Sequence, residues 1–141
     1  MNAKIIIAGV IAGIVSFFLG WLVWGILLMD FYEKGMVSYE GMEKEDPNLP
    51  IMGLAQIISG LLLAYIIGNF NGKMNWRRGM NIGAVVGFLL TLSMDLFFFA
   101  MMNWYKDMKF VFVDTAINTI FTALLGAIVG WYLGRGKSET A

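Results

Sequence analysis

Four apolar stretches, about Lys4–Met29, Ile51–Phe70, Gly79–Met102 and Phe110–Gly134, occupy about two thirds of this 141-residue chain. Each reaches the ~20 helical residues that a ~30 Å hydrocarbon layer requires. Each is also apolar around its whole circumference, with isolated polar exceptions, whereas a core helix of a water-soluble domain is apolar along one stripe. Charged residues amount to only 14%, against about 25% in soluble domains. The expected fold is therefore an all-α integral membrane protein, a four-transmembrane-helix antiparallel bundle forming one domain over 1–141.

Composition removes several kinds of chemistry. The chain has neither cysteine nor histidine, so disulfides, thiolate nucleophiles, histidine-ligated zinc or haem, and imidazole triads are all excluded. The formal net charge is zero, which leaves a nucleic-acid partner without an electrostatic basis. No catalytic motif, metal site or cofactor is expected, and the chain reads as non-enzymatic. The run Ile5–Met29 is about twice the length of a secretory signal's apolar region and is followed by no A-x-A-like cleavage site. It is read as a retained first helix.

Basic residues set the expected orientation. Lys4, Lys73, Arg77, Arg78, Arg135 and Lys137 fall on one side, and Lys34, Lys44, Lys106 and Lys109 on the other. Asp30, Glu33, Glu40, Glu43, Glu45 and Asp46 all belong to the first connection. Both termini are therefore expected in the cytoplasm, with an acidic, solvated outer loop over 30–50 that lacks EF-hand spacing. Arg77 and Arg78 open the third span, where the helix dipole disfavours cations, so topology or lipid contact explains them better than helix stability. Trp76, Trp131 and Tyr132 are expected at the inner interface, and Tyr32, Trp104 and Tyr105 at the outer one. Trp21 and Trp24 lie deeper, where packing between helices is expected. Short second and third connections predict that spans two and three, and three and four, are antiparallel neighbours. Asp46-Pro47 marks the expected start of the second span, with Pro50 in its first turn.

Small residues recur at helical spacing. In lipid, close packing and hydrogen bonds rather than apolar burial hold helices together, so such rows predict packing seams. Span one carries Gly9, Gly13, Ser16 and Gly20, and span two carries Gly60 with Gln56 near the same face. Gln56 is expected to make an interhelical hydrogen bond. Span three carries Gly79, Gly83, Gly87, Thr91 and Asp95, and span four carries Asp114, Asn118, Thr122, Gly126 and Gly130, each four apart. The last two rows run in opposite directions, which brings glycine ends together on the inner side and acidic ends toward the outer side.

Asp95 departs from a packing seam. A carboxylate near a helix centre costs about 2.5–3.5 kcal/mol on insertion scales, so such a residue faces the bundle interior or a water-filled cavity. Counting depth from the third loop puts Asp95 nearest the level of Asn118, with Asp114 closer to the outer surface. Thr91 and Asn118 are then its expected hydrogen-bonding neighbours. Two states stay open: a protonated structural donor, or an ionised group beside water or a cation. Asp114 lies near the start of its helix, where the dipole favours a carboxylate. Asp107 is the expected N-cap of that helix.

Three segments resemble a family of small bacterial four-span membrane proteins of unknown function. These are Leu19-Gly20-Trp21-Leu22-Val23-Trp24, then Gly87-Phe88-Leu89-Leu90-Thr91, then Phe112-Val113-Asp114 with Leu125-Gly126-Ala127-Ile128-Val129-Gly130-Trp131. The resemblance covers nearly the whole chain and implies a fold and a location in the bacterial cytoplasmic membrane, without an activity. The residues support two functional expectations. The first is a proton- or cation-linked small-solute transporter or binding bundle centred on Asp95, assisted by Thr91, Asn118 and Asp114. The alternative is a non-catalytic membrane subunit or assembly factor acting through helix contacts. In either case the lipid bilayer is one partner, and a second copy or another membrane protein is another.

Overall fold

The computed structural model describes residues 2–42, 44 and 46–135. Glu43 and Glu45 of the acidic loop, and Lys137 of the basic tail, lie outside the described residues. The fold is an all-α membrane bundle whose four long helices have mean hydropathy between 1.7 and 2.5. Helix α1 (Ala3–Leu22) continues into a π-helical turn, Val23–Leu27, followed by a short α2 (Met29–Gly35). Then come α3 (Leu49–Gly68), α4 (Trp76–Met101) and α5 (Met108–Gly134).

Side-chain caps set most helix starts by accepting an otherwise orphaned backbone N–H. Asn2, Asn48, Asn75 and Asp107 cap α1, α3, α4 and α5 in this way. The expected start at Asp46-Pro47 moves to Asn48, whose side chain accepts from Ile51 N at 3.1 Å, while Pro50 does lie in the first turn. At the other end of the bundle, Lys4 Nζ donates to the Leu133 carbonyl at 3.0 Å and also to the Arg135 carbonyl. The ammonium thus caps the C-terminal end of α5 and brings both ends of the described chain to one face, the terminal side. Arg77 lies over the Trp76 ring and Arg135 over the Trp131 ring on that side, at 5.2 and 3.8 Å from the ring centroids.

The bundle consists of two tight antiparallel pairs. In the first, Gly9 and Gly13 of α1 meet α3 at Gly60, Leu61 and Ile57; a Cβ on Gly13 would come within 2.5 Å of Ile57 Cα. In the second, α4 and α5 touch backbone to backbone. Gly79 meets Gly126 and Gly130, Gly83 meets Thr122 and Gly126, and Gly87 meets Thr122 and Asn118. Spans two and three, expected to be neighbours, make only sparse contact. The small-residue face of α3 is spent on α1, and that of α4 on α5, so matched seams override the shortness of the connection. Helix α5 joins the pairs by touching both α1 and α3.

Between the pairs, the terminal half is filled by Ala8, Ala12, Leu63, Ala64, Ile67, Ile82, Leu125, Val129 and Leu133. Toward the far side the pairs stand apart. Gly20 meets no backbone there: a Cβ would touch only Phe121 and Trp24 rings at 3.8 Å, so Gly20 belongs to an opening rather than a packing seam. Trp24 does pack between helices, edge-to-face on Phe121 at 4.7 Å. Trp21, expected to do the same, is 66% exposed on the outside of the bundle.

The far side is laced together by the chain after α1. Leu28 N donates to Val23 O at 2.8 Å, closing the wide turn that diverts the chain out of α1. Val37 N then donates to Trp104 O at 2.8 Å, and Lys106 N to Gly35 O at 3.0 Å. Phe31 stacks on Phe110 at 4.5 Å, and the Phe110 ring occupies the space that a side chain on Gly35 would need.

These packing distances separate two glycines expected to act alike. In detergent-induced unfolding, Gly126→Ala should lose about 1–3 kcal/mol, since its Cβ would collide with Gly79 and Gly83 backbone. Gly20→Ala should be neutral or gain up to about 1 kcal/mol from helix propensity. Equal losses from both would contradict the two-pair packing.

Candidate functional site

The register of α4 against α5 determines where the acids meet. Each four-residue step along α4 from Gly79 to Gly87 is matched by a four-residue step back along α5 from Gly130 to Thr122. Two further steps along α4 reach Asp95, opposite the turn holding Asp114 and Thr115. Asp95 is six residues from the end of α4 and Asp114 six from the start of α5, so both lie ~9 Å along the helix from the far side. The expected pairing of Asp95 with the level of Asn118 is thus shifted by one turn. The reason is that α5 begins at Met108 and the connection is a compact turn, so the two acids share one depth.

Asp95 and Asp114 are 5% and 7% exposed, and Asp95 accepts from Thr115, the residue next to Asp114. Asp95 accepts hydrogen bonds from the Tyr105 hydroxyl at 3.0 Å and the Thr115 hydroxyl at 3.3 Å. Asp114 accepts from the Tyr32 hydroxyl and from Asn118 Nδ2, the latter at 3.1 Å. Asn118 Nδ2 also reaches the Asp114 carbonyl at 3.0 Å, which orients the amide. All these donors are neutral. No Lys or Arg side chain among the described residues pairs with either acid. Among the described residues no three His, Cys, Asp or Glu side chains gather as a metal-binding group.

The tyrosines reach the acids because the far-side lacing holds them there. Tyr32 projects from α2, and Tyr105 sits in the turn after α4, where it forms an antiparallel bridge with Met36. Their hydroxyls point at carboxyls, and neither is fully exposed. Burial first, and the neighbouring carboxyls second, push both phenols well above the ordinary tyrosine range. The nearby Trp24 indole opposes this at Tyr32 without cancelling it. No residue-spacing signal links Tyr32 or Tyr105 to the acids, since the contact spans 82 residues in one case and a loop turn in the other. Thr115 could have been found from its place beside Asp114 in the sequence.

The remaining expected members of the polar core, Thr91 and Gln56, lie away from the acids. Thr91, Gln56, Asn118 and Gly20 line a cavity of about 1060 Å³ between the two helix pairs. Gln56 Oε1 accepts from Ser16 Oγ at 2.6 Å, an interhelical bond between α1 and α3. Asp95 and Asp114 are absent from the cavity lining. Asn118 alone belongs to both places: its amide holds Asp114, and its side chain borders the cavity. The polar residues therefore divide into an acid pair and a cavity, joined at one amide. Asp30, Glu33, Glu40 and Asp46 of the first connection are exposed and take no part in either. Comparison with protein-family models, curated proteins and solved structures gave no match.

The phenol shifts carry a pH signature. A folded-state value raised above the unfolded one means that stability is complete below pH about 10 and is lost as pH rises through the folded range. Tyr32→Phe should lower stability near neutral pH by about 1–3 kcal/mol, because Asp114 loses a donor. The same variant should flatten the decline above pH about 10 relative to wild type. Unfolding titrations across that range, repeated for Tyr105→Phe, check both signs.

Proposed function

We propose that this chain is a proton- or cation-linked small-solute transporter or binding bundle of the bacterial cytoplasmic membrane. The carrying observation is the meeting of Asp95 and Asp114 inside the bundle with neutral donors only, joined through Asn118 to a cavity of about 1060 Å³. In this reading the acid pair holds the coupled proton or cation, and the cavity holds the solute. The packed terminal half and the cavity beyond it give the bundle a one-sided shape, filled toward the cytoplasm and hollow in the other half. The cytoplasmic placement of the terminal side rests on the basic residues Lys4, Lys73, Arg77, Arg78 and Arg135. The resemblance to small bacterial four-span proteins supports the same location.

The reading assigns no enzyme chemistry and no cofactor. Four spans are few for a pathway, so a homo-oligomer or a partner membrane protein completes the assembly. The exposed Phe18 and Trp21 favour a second reading, a membrane subunit that presents this face to a partner helix.

The test uses proteoliposomes with a pH-sensitive dye inside, an imposed proton gradient, and a panel of small uncharged and cationic solutes. Wild type should couple proton movement to at least one solute. Asp95→Asn and Asp114→Asn should each lower the coupled flux by about tenfold or more, the range over which single proton-transfer groups act. Equal flux in wild type and Asp95→Asn would remove that residue as the coupling site. No coupled movement with any solute, together with a stoichiometric partner on purification in mild detergent, would favour the subunit reading.

A further inference from the structure

The cavity between the helix pairs has features that define what it can hold. At about 1060 Å³ it sits at the upper end of the ~300–1,000 Å³ typical of ligand sites. Among the described residues no Asp, Glu, Lys or Arg lines it. Its mouth runs among Phe18, Trp21, Leu62 and Leu90, which are 64, 66, 51 and 51% exposed. All four lie within membrane spans, so this part of the rim faces hydrocarbon, while Leu49, 59% exposed at the start of α3, borders the cavity nearer the far-side surface. Deeper in, the wall turns polar: the buried Ser16 hydroxyl is bonded to Gln56, and Thr91 and Asn118 complete that level. Gln56 accepts through its oxygen, which leaves its amide N–H groups free to donate.

We propose that this cavity binds an uncharged amphipathic molecule that enters from the bilayer. Its aromatic or alkyl body lies against Trp24 and Phe121, and it carries a hydrogen-bonding carbonyl, hydroxyl or amide group toward Gln56. A charged ligand would shed its hydration with no counter-charge in the lining to replace it. A bare lipid tail would leave the Gln56 amide N–H groups and the Thr91 hydroxyl without partners. A neutral molecule with one polar group satisfies both conditions. The proposal deepens the solute-binding reading above, but it assigns solute recognition to the cavity and takes it away from the acids. The cationic solute that a buried acid suggests is not what the lining selects.

Gly20 supplies the test. The nearest atoms to its Cβ direction are Phe121 and Trp24 ring atoms at 3.8 Å, ordinary contact distance, so Gly20→Leu puts a larger side chain against those rings at the cavity wall. The exposed Ser59 also borders the cavity, and Ser59→Phe is a second way to fill it. Full-length protein in lipid nanodiscs is titrated with N-phenylnaphthylamine, its anionic relative anilinonaphthalene sulfonate, and tetraphenylphosphonium, with empty nanodiscs subtracted. The expected result is saturable binding of the uncharged probe, about tenfold or more tighter than either ion. Gly20→Leu and Ser59→Phe should each weaken it by about tenfold, with thermal stability kept. Asp95→Asn should leave it within about twofold of wild type, since that carboxyl lies outside the lining. Equal affinity for charged and uncharged probes would overturn the proposal, as would unchanged binding in both filled variants. A particle of doubled protein mass that binds no probe would also overturn it, because a second copy would then occupy the cleft. Loss of coupled flux in every solute assay with probe binding intact would defeat the transport reading while leaving the cavity assignment standing.

Discussion

Backbone contact between α4 and α5 decides most of the architecture of this bundle. Where Gly79, Gly83, Gly126 and Gly130 meet, no side chain separates the helices. A slide by one residue would bring side chains into a gap that has no room for them. That contact therefore sets the level of every residue further along both helices, including the two acids two turns beyond Gly87. The acid pair is a consequence of glycine packing at the other end of the same seam. It is placed by steric exclusion, with hydrogen bonds from Tyr32, Tyr105, Thr115 and Asn118 completing it.

The same packing explains the cavity. Each pair uses its small residues on its own partner, so larger side chains are left to mediate contact between pairs. On the terminal side Leu63, Ile67, Leu125 and Val129 fill that space. On the far side Gly20, Ser16 and Thr91 are too small to do so, and the pairs stand apart. Acid pair and cavity thus arise from one division of labour among small residues. Asn118 connects them because it lies on α5, the helix that touches both pairs.

The four spans were legible because a full circumference of apolar residues has few other uses, and their ends moved by only a few residues. The glycine seams of α4 and α5 were legible from four-residue spacing alone. Which seam meets which was not: connection length suggested that spans two and three pack together, and surface matching outweighed it. Asp95 stood out from its depth in the span. Its partners did not, because depth counting carries an error of about one turn when the loop's shape is unknown. Tyr32 was hidden further, since its approach depends on a π-helical turn at Val23–Leu27 and a short helix inside a loop that reads as solvated. Gly20 looked like its neighbours in the row, although helix α3 faces Gly13 and has diverged by Gly20.

The absence of cysteine makes the level of the acids directly measurable by introduced pairs. Full-length protein carrying Asp95→Cys with Asp114→Cys is compared, in membranes, with protein carrying Asp95→Cys with Asn118→Cys. Oxidation is read as protection from a maleimide-polymer gel shift. The glycine-set register predicts rapid closure of the 95–114 pair and slow or absent closure of the 95–118 pair. Preferential closure of the 95–118 pair would contradict it, and would return Asp95 to the deeper level that depth counting alone suggests.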